Sequence, residues 1–193
     1  MDDSAQPLTV TDRSDPLIAY MTLTAISPGL FRGGVLVVDT DGKPVDFRCT
    51  SAIKPNAMQK ILYGDTLTGH MAVSLCGQPL MDAMTCNPSV MVVGRPGLLD
   101  LRRETCASVL WVRRQSDMIP RNETAPASDE QELVASESGQ FETVSISPHN
   151  AFAGDIDDGI PPIRLLASAI DPLEPFSRIE AALKWVQDKA GRS

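Results

Sequence analysis

The sequence predicts an α+β domain in which a long helix packs on one face of a mainly antiparallel, twisted sheet and another helix ends the chain. Three observations support this prediction. Residues 33–49 have the pattern of a β-hairpin, with a β-branched apolar run before a turn and an alternating segment after it. After Pro55 the spacing of apolar residues changes from a period near two to one near 3.6. Residues 176–186 carry a single apolar stripe at helical spacing.

The first strands are predicted in succession along the N-terminal part of the chain. Residues 17–26 form an apolar run rich in Leu, Ile, Thr and Tyr, and the Ser-Pro-Gly sequence at 27–29 ends it. The hairpin strands are expected at 35–38 and 45–49. The loop between them, residues 39–44, contains Asp, Gly and Pro and is too long for a two-residue turn.

A long helix is predicted from Pro55 to Met84. Proline suits the first turn of a helix, because its fixed φ is helical and its missing N–H has no partner there. Gly64 and Pro79 predict a break or a kink. The residues expected on its buried face are Met58, Ile61, Leu62, Met71 and Leu75.

The apolar segments after this helix predict three further strands. They lie at 89–94, 98–102 and 107–113, and an Arg-Pro-Gly turn separates the first two. Strands that follow one another through short loops usually pair antiparallel, so the sheet is expected to be mainly antiparallel.

The chain divides into four predicted parts. Residues 1–14 are polar and are expected to be a disordered N-terminus, and residues 15–114 form the α+β core. Residues 115–140 are rich in Pro, Ser, Asp and Glu, which predicts an acidic flexible linker or loop. Residues 141–193 are expected to form a strand-strand-helix unit that completes or caps the core.

The elements of this last unit are predicted from local pattern. Strands are expected at 141–146 and 163–170, and the final helix is expected to begin between Asp171 and Pro175. The stripe on that helix consists of Phe176, Ile179, Leu183 and Val186.

Composition and charge limit the classes of partner. The 193 residues are 42% hydrophobic and 22% charged, which is typical of a globular domain able to bury a core. The formal net charge of −8 opposes association with a polyanion. The sequence therefore predicts that nucleic acid is an unlikely partner.

The compartment is predicted from the cysteines and the N-terminus. Four cysteines occur without a CxxC pair, and the acidic first residues are not followed by the apolar segment of an export signal. These features predict reduced thiols and a cytoplasmic protein. No apolar run reaches the roughly 20 residues of a membrane span. Nucleotide, hydrolase and zinc-protease motifs are absent from the sequence, so no cofactor is expected.

Three acids on or beside the hairpin are the candidates for catalysis. Asp39 and Asp41 precede Gly42 of the turn, where Asp commonly bonds to the local backbone, and Asp46 lies in the next strand. Three strands followed by a helix, with carboxylates on strands, resemble nucleases of the ribonuclease H fold, in which clustered acids hold two divalent metals. The resemblance implies an acid in the middle of the first strand, and residues 17–26 contain none.

Segregated charge marks a candidate partner surface. Between Arg95 and Arg121 there are six arginines and three acids, whereas residues 122–171 hold ten acids and Arg164. Arginine is enriched at interfaces, and an exposed tryptophan can serve as an anchor. The predicted partner-binding residues are Arg95, Arg102, Arg103, Arg113, Arg114 and Trp185. Alternatively, the acidic linker folds over the basic strands and neutralises them within the molecule.

The function predicted from the sequence is that of a non-catalytic adaptor or assembly subunit of a cytosolic complex rather than an enzyme. Its partner would be another protein or a second copy of the chain. The order of elements in residues 33–114 resembles that of roadblock and profilin-like modules, which implies partner binding through sheets or helices. The alternative is a divergent metal-dependent phosphodiesterase or nuclease with a ribonuclease H-like core, using Asp39, Asp41 and Asp46.

Overall fold

The computed structural model describes residues 15–117, 127–136 and 138–190. The predicted disordered segment 1–14 lies outside them, as do residues 118–126 of the predicted linker. The strands are β1 (Ile18–Ser27), β2 (Leu30–Val38), β3 (Pro44–Cys49), β4 (Val90–Val93), β5 (Ser108–Arg114), β6 (Glu132–Val134) and β7 (Val144–Pro148). The α-helices are α1 (Ala57–Tyr63), α2 (Leu67–His70), α3 (Gln78–Ala83), α4 (Asp155–Ala169) and α5 (Glu174–Ala190).

The described strands form one mixed seven-stranded sheet with the order β3-β2-β1-β4-β5-β7-β6. The predicted hairpin is present, since β2 pairs antiparallel with β3. However, β1 pairs with β4 and β4 pairs with β5 in parallel. The prediction of a mainly antiparallel sheet is therefore wrong for its centre.

Helical crossovers explain the parallel centre of the sheet. Parallel neighbours need a connection long enough to return the chain to the same end of the sheet. The helical residues 57–83 provide it before β4, and the 3₁₀ helix Pro96–Arg103 provides it between β4 and β5. Residues 98–102, predicted as a strand, lie within that 3₁₀ helix, which has Pro96 in its first turn.

The predicted long helix of residues 55–84 is not one regular helix. Residues 57–83 are helical throughout, but α1, α2 and α3 alternate with a 3₁₀ turn at Gly64–Thr66 and a π segment at Met71–Gly77. Gly64 ends α1 with a φ of 50°, a conformation that glycine adopts readily. Helix α1 buries none of its residues, so Met58, Ile61 and Leu62 are exposed and do not form the predicted buried face.

The C-terminal part of the chain contains two helices. Residues 163–170 were predicted as a strand because they are apolar, but residues 163–169 lie in α4, whose buried positions include Ile163 and Leu166. An apolar run alone does not separate a strand from a buried helix. The predicted C-terminal helix is confirmed as α5, with Ile179 and Leu183 fully buried.

The sheet is covered on both faces. One core cluster joins one face of β1, β2, β4, β5 and β7 to α4 and α5. A second cluster joins the other face to the helical residues 57–83 and to the 3₁₀ helix Pro96–Arg103. The fold is thus a mixed α/β sandwich of three layers, and the carboxyl ends of β1, β4 and β5 meet at one edge of it.

No helix in the described ranges is both long enough and apolar enough to cross a membrane.

Candidate functional site

Asp39 and Asp41 organise the turn between β2 and β3. The Oδ1 atom of Asp39 accepts hydrogen bonds from the backbone N–H groups of Asp41, at 3.0 Å, and of Lys43, at 2.8 Å. Asp41 pairs with the Lys43 ammonium at 2.9 Å, and this contact raises the pKa of Lys43. The two acids therefore have the role that turn chemistry predicts for them.

Asp46 fastens β3 to the residues that follow α3. Its carboxylate accepts hydrogen bonds from the backbone N–H and the hydroxyl of Thr85, at 3.1 and 3.2 Å, and pairs with Arg48 at 3.1 Å. Partial burial acts to raise the pKa of Asp46, but the bonds from Thr85 and Arg48 together hold it below its usual value. Within the ranges that the structure describes, no three His, Cys, Asp or Glu side chains lie close enough to hold a metal ion. Asp39, Asp41 and Asp46 are thus not brought together as a metal centre.

Two of the predicted partner-binding arginines form internal ion pairs. Arg102 binds the buried carboxylate of Asp155 through Nε, at 2.9 and 2.7 Å, and its guanidinium lies 4.6 Å from the centre of the Phe152 ring. Arg114 pairs with Asp171 and donates to the carbonyl of Glu142. Asp155 and Asp171 lie outside the predicted linker of residues 115–140, so these two arginines are paired by acids in and after α4.

The other predicted residues differ in exposure. Arg103 is exposed and pairs with Asp100 at 3.3 Å, three residues before it in the 3₁₀ helix. Trp185 is 63% exposed on α5, with the Lys189 ammonium 5.5 Å from its ring centre. The side chain of Arg95 is exposed and makes no hydrogen bond or ion pair with any residue that the structure describes.

A cleft of about 560 Å³ opens where the parallel strands end, and we call it the strand-end cleft. From the carboxyl end of β1 the chain turns toward β2, on one side of the cleft. From the carboxyl end of β4 it continues toward β5, on the other side. The cleft therefore lies at the point where the strand connections diverge, which is the usual ligand site of an open α/β sheet. It is lined by Thr22, Thr24, Gly94, Arg95, Pro96, Trp111, Val112, Arg113, Asp117, Leu173, Phe176 and Glu180.

Close packing forms one wall of the strand-end cleft. A Cβ atom on Gly94 would lie 3.1 Å from the ring of Phe176 and 3.1 Å from the hydroxyl oxygen of Thr22, so glycine leaves room for both. Phe176 packs edge-on against Tyr20 of β1, with ring centres 5.2 Å apart. Burial, and secondarily the charge of Asp171, raise the pKa of Tyr20 far above its usual range, and its hydroxyl has no hydrogen-bond partner among the described residues.

Charged groups of both signs line the cleft. The Arg113 guanidinium donates to the carbonyl of Arg114 at 3.1 Å and lies 5.6 Å from the centre of the Trp111 ring. Asp117 and Glu180 also line the cleft, one after β5 and the other on α5. Strands β1, β4 and β5 themselves contribute no carboxylate. Strands β4 and β5 therefore lack an acid, as β1 does.

Sequence reasoning found Arg95 and Arg113 but not the cleft that they share. Arg95, Pro96 and Gly97 were interpreted as a compact turn between two strands, because β4 was expected to pair antiparallel with its neighbours. A short apolar strand followed by glycine and a helical segment is also the signal of a parallel strand with a ligand site at its carboxyl end. That signal could have located the cleft.

Comparison with solved structures finds a similar fold in endonuclease V. The chain is similar to endonuclease V of Ciona intestinalis bound to a 24mer DNA that contains an inosine followed by a ribo-adenosine, with a TM-score of 0.52, 11% identity and coverage of 93% of this chain and 87% of that one. A D234N variant bound to a 23mer DNA matches with a TM-score of 0.50, 12% identity and the same coverage. No family model and no curated protein sequence matches the chain.

These likenesses correct the predicted function. The adaptor or assembly-subunit prediction is wrong, because the chain has the fold of a DNA-bound nuclease over 93% of its length. The prediction of a protein partner with nucleic acid unlikely is wrong for the same reason. The nuclease alternative fits the fold better than the adaptor does, although its three acids lie outside the strand-end cleft.

Proposed function

We propose that this protein binds nucleic acid in the strand-end cleft. The observation that carries the proposal is the position of the cleft, at the carboxyl ends of β1, β4 and β5 in a fold shared with endonuclease V. Open α/β sheets bind their ligands at this edge, where no strand side chain blocks the approach.

The lining of the cleft suits a nucleotide strand. Arg95 offers an unpaired guanidinium, and arginine binds phosphate through two parallel hydrogen bonds. Phe176 and Leu173 provide an apolar surface on which a base can lie. Because the whole chain carries a net charge of −8, the contact is confined to the cleft rather than spread over a basic surface.

The second candidate is metal-dependent cleavage of a phosphodiester in the same cleft. It is favoured by Asp117 and Glu180, since Mg²⁺ is often held by one or two carboxylates together with substrate phosphates. In this scheme the ion would stabilise charge on the scissile phosphate, and Arg95 would orient the strand. These two acids replace Asp39, Asp41 and Asp46 as the candidates for that chemistry.

Fluorescence anisotropy of labelled oligonucleotides tests the binding proposal. The probes are 24-residue DNA and RNA strands, single and duplex, with and without an inosine. Arg95→Glu is expected to weaken binding by about tenfold or more, because it removes one charged hydrogen-bonding group and adds repulsion. Arg103→Glu is the matched control, an exposed arginine that does not line the cleft, and is expected to change affinity by less than about threefold.

Two results would overturn the proposal: no salt-dependent binding of any probe by the wild-type protein, or equal losses in the Arg95 and Arg103 variants. Incubating the same probes with Mg²⁺ or Mn²⁺ tests cleavage. Products that disappear in Asp117→Asn and in Glu180→Gln, while binding persists, would support the second candidate. Binding without cleavage would exclude it and leave the first proposal in place.

A further inference from the structure

A second concave site lies beside the irregular helical region and shares no lining residue with the strand-end cleft. This groove has a volume of about 450 Å³ and runs between the segment after β3 and residues 67–83. We call it the helix-flank groove. Its lining includes Ile53, Lys54, Leu67, His70 and Leu75.

The size and lining of the helix-flank groove fit a small molecule. Ligand sites are clefts of about 300–1,000 Å³ with apolar walls and a few polar groups. Here the apolar wall includes Ile53, Leu67 and Leu75. Leu75 is 39% exposed although its neighbours in the π segment Met71–Gly77 are largely buried. Single-turn π segments occur frequently at functional sites, because the extra residue redirects side chains.

The charge of the groove indicates the sign of its ligand. The lining contains Lys54 and His70 but no Asp or Glu, in a chain whose net charge is −8. Lys54 is exposed and makes no ion pair or hydrogen bond with the described residues. The imidazole of His70 is stacked on Tyr63, with ring centres 4.5 Å apart, which fixes the plane of its ring.

We propose that the helix-flank groove binds a small amphipathic anion, with the acidic group at Lys54 and His70 and the apolar body against Ile53, Leu67 and Leu75. The charge complementarity selects an anion, and the volume limits it to a molecule of drug or short fatty-acid size. This site is independent of the proposed function, because its ligand and its residues differ from those of the strand-end cleft.

The test uses 8-anilinonaphthalene-1-sulfonate, an apolar anion whose fluorescence rises on binding, with the full-length protein. Octanoate is expected to displace it, whereas octanol, of the same chain length without the charge, is expected to be at least about tenfold weaker. Lys54→Met is expected to raise the Kd of the dye by about tenfold, since it removes the charged donor and keeps the side-chain length. Lys60→Met, on α1 outside the lining, is the matched control.

A second pair of variants tests the apolar wall. Leu75→Glu places a negative charge inside the groove and is expected to abolish dye binding, whereas Leu165→Glu, which is 54% exposed on α4, is expected to leave it unchanged. Both sites are exposed enough to accept glutamate, and thermal unfolding monitors the fold.

Equal dye binding by all variants, equal displacement by octanol and octanoate, or displacement by oligonucleotide would each overturn the proposal. The proposal would also be overturned if the wild-type protein formed a dimer that the Leu75→Glu substitution dissociated, because a second copy of the chain would then fill the groove.

Discussion

Arg102 holds the carboxylate of Asp155 through its Nε atom, which lies 2.9 and 2.7 Å from the two oxygens. The same carboxylate accepts a hydrogen bond from the backbone N–H of Val109, at 3.0 Å. The Asp155 side chain is only 6% exposed, and that of Arg102 is 20% exposed. This pair fastens the first turn of α4 to the start of β5 and to the end of the 3₁₀ helix.

Removing one partner of this pair leaves the other charge buried without compensation. Asp155→Asn is therefore expected to lower the free energy of unfolding by about 3–5 kcal/mol. Arg103→Gln breaks an exposed pair and is expected to cost less than about 1 kcal/mol. Urea unfolding followed by circular dichroism measures both variants. Equal small losses would show that the Arg102–Asp155 pair does not stabilise the fold.

The contact between β2 and α5 depends on glycine at position 34. A Cβ atom there would lie 2.6 Å from Cγ2 of Ile179, which is fully buried in α5. Gly34→Ala is expected to destabilise the protein by about 1–3 kcal/mol through overpacking. Gly97→Ala meets no atom within 4 Å and is the control, expected to be neutral or slightly stabilising. Calorimetric melting of the two variants distinguishes them, and a neutral Gly34→Ala would mean that α5 shifts freely on the sheet.

Thiol reactivity reports on the packing of the π segment. Burial raises the pKa of Cys76 to about 12, whereas Cys106 is exposed. At pH 8 the thiolate population of Cys76 is expected to be about three orders of magnitude below that of free cysteine, so alkylation is correspondingly slow. Mass spectrometry after iodoacetamide treatment should find Cys106 modified and Cys76 intact, with both modified in denaturant. Fast labelling of native Cys76 would contradict the burial of this segment.

Asp46 makes stability depend on pH. Its pKa is below the usual 3.8 in the folded state, so the stabilisation it contributes is fully present above pH 3.8 and is lost as the pH falls through the folded-state pKa. Asp46→Asn is expected to be less stable than the wild type at pH 7, and the difference should shrink steadily below pH 3.8. Urea unfolding between pH 2 and 7 measures it, with Asp41→Asn as the exposed control. A difference that stays constant with pH would exclude this linkage.

Local sequence determined the elements whose pattern is set by neighbours along the chain. The hairpin of β2 and β3 follows from a β-branched run before the turn at residues 39–44 and an alternating segment after it. Helix α5 follows from the spacing of Ile179 and Leu183. Turn chemistry also predicted the role of Asp39, because an aspartate at the start of a turn accepts hydrogen bonds from the backbone N–H groups of the residues that follow it. None of these features requires knowledge of distant residues.

Tertiary structure decided the rest, because it depends on which distant segments meet. Strands β1, β4 and β5 pair in parallel. The sequence did not predict this pairing, because the apolar residues of the 3₁₀ helix Pro96–Arg103 have the pattern of another strand. Phe176 and Gly94 are 82 positions apart in the sequence and form one wall of the cleft only because α5 packs across the end of the sheet. The ion pairs of Arg102 with Asp155 and of Arg114 with Asp171 also form only in the folded chain, because the partners are 53 and 57 residues apart in the sequence.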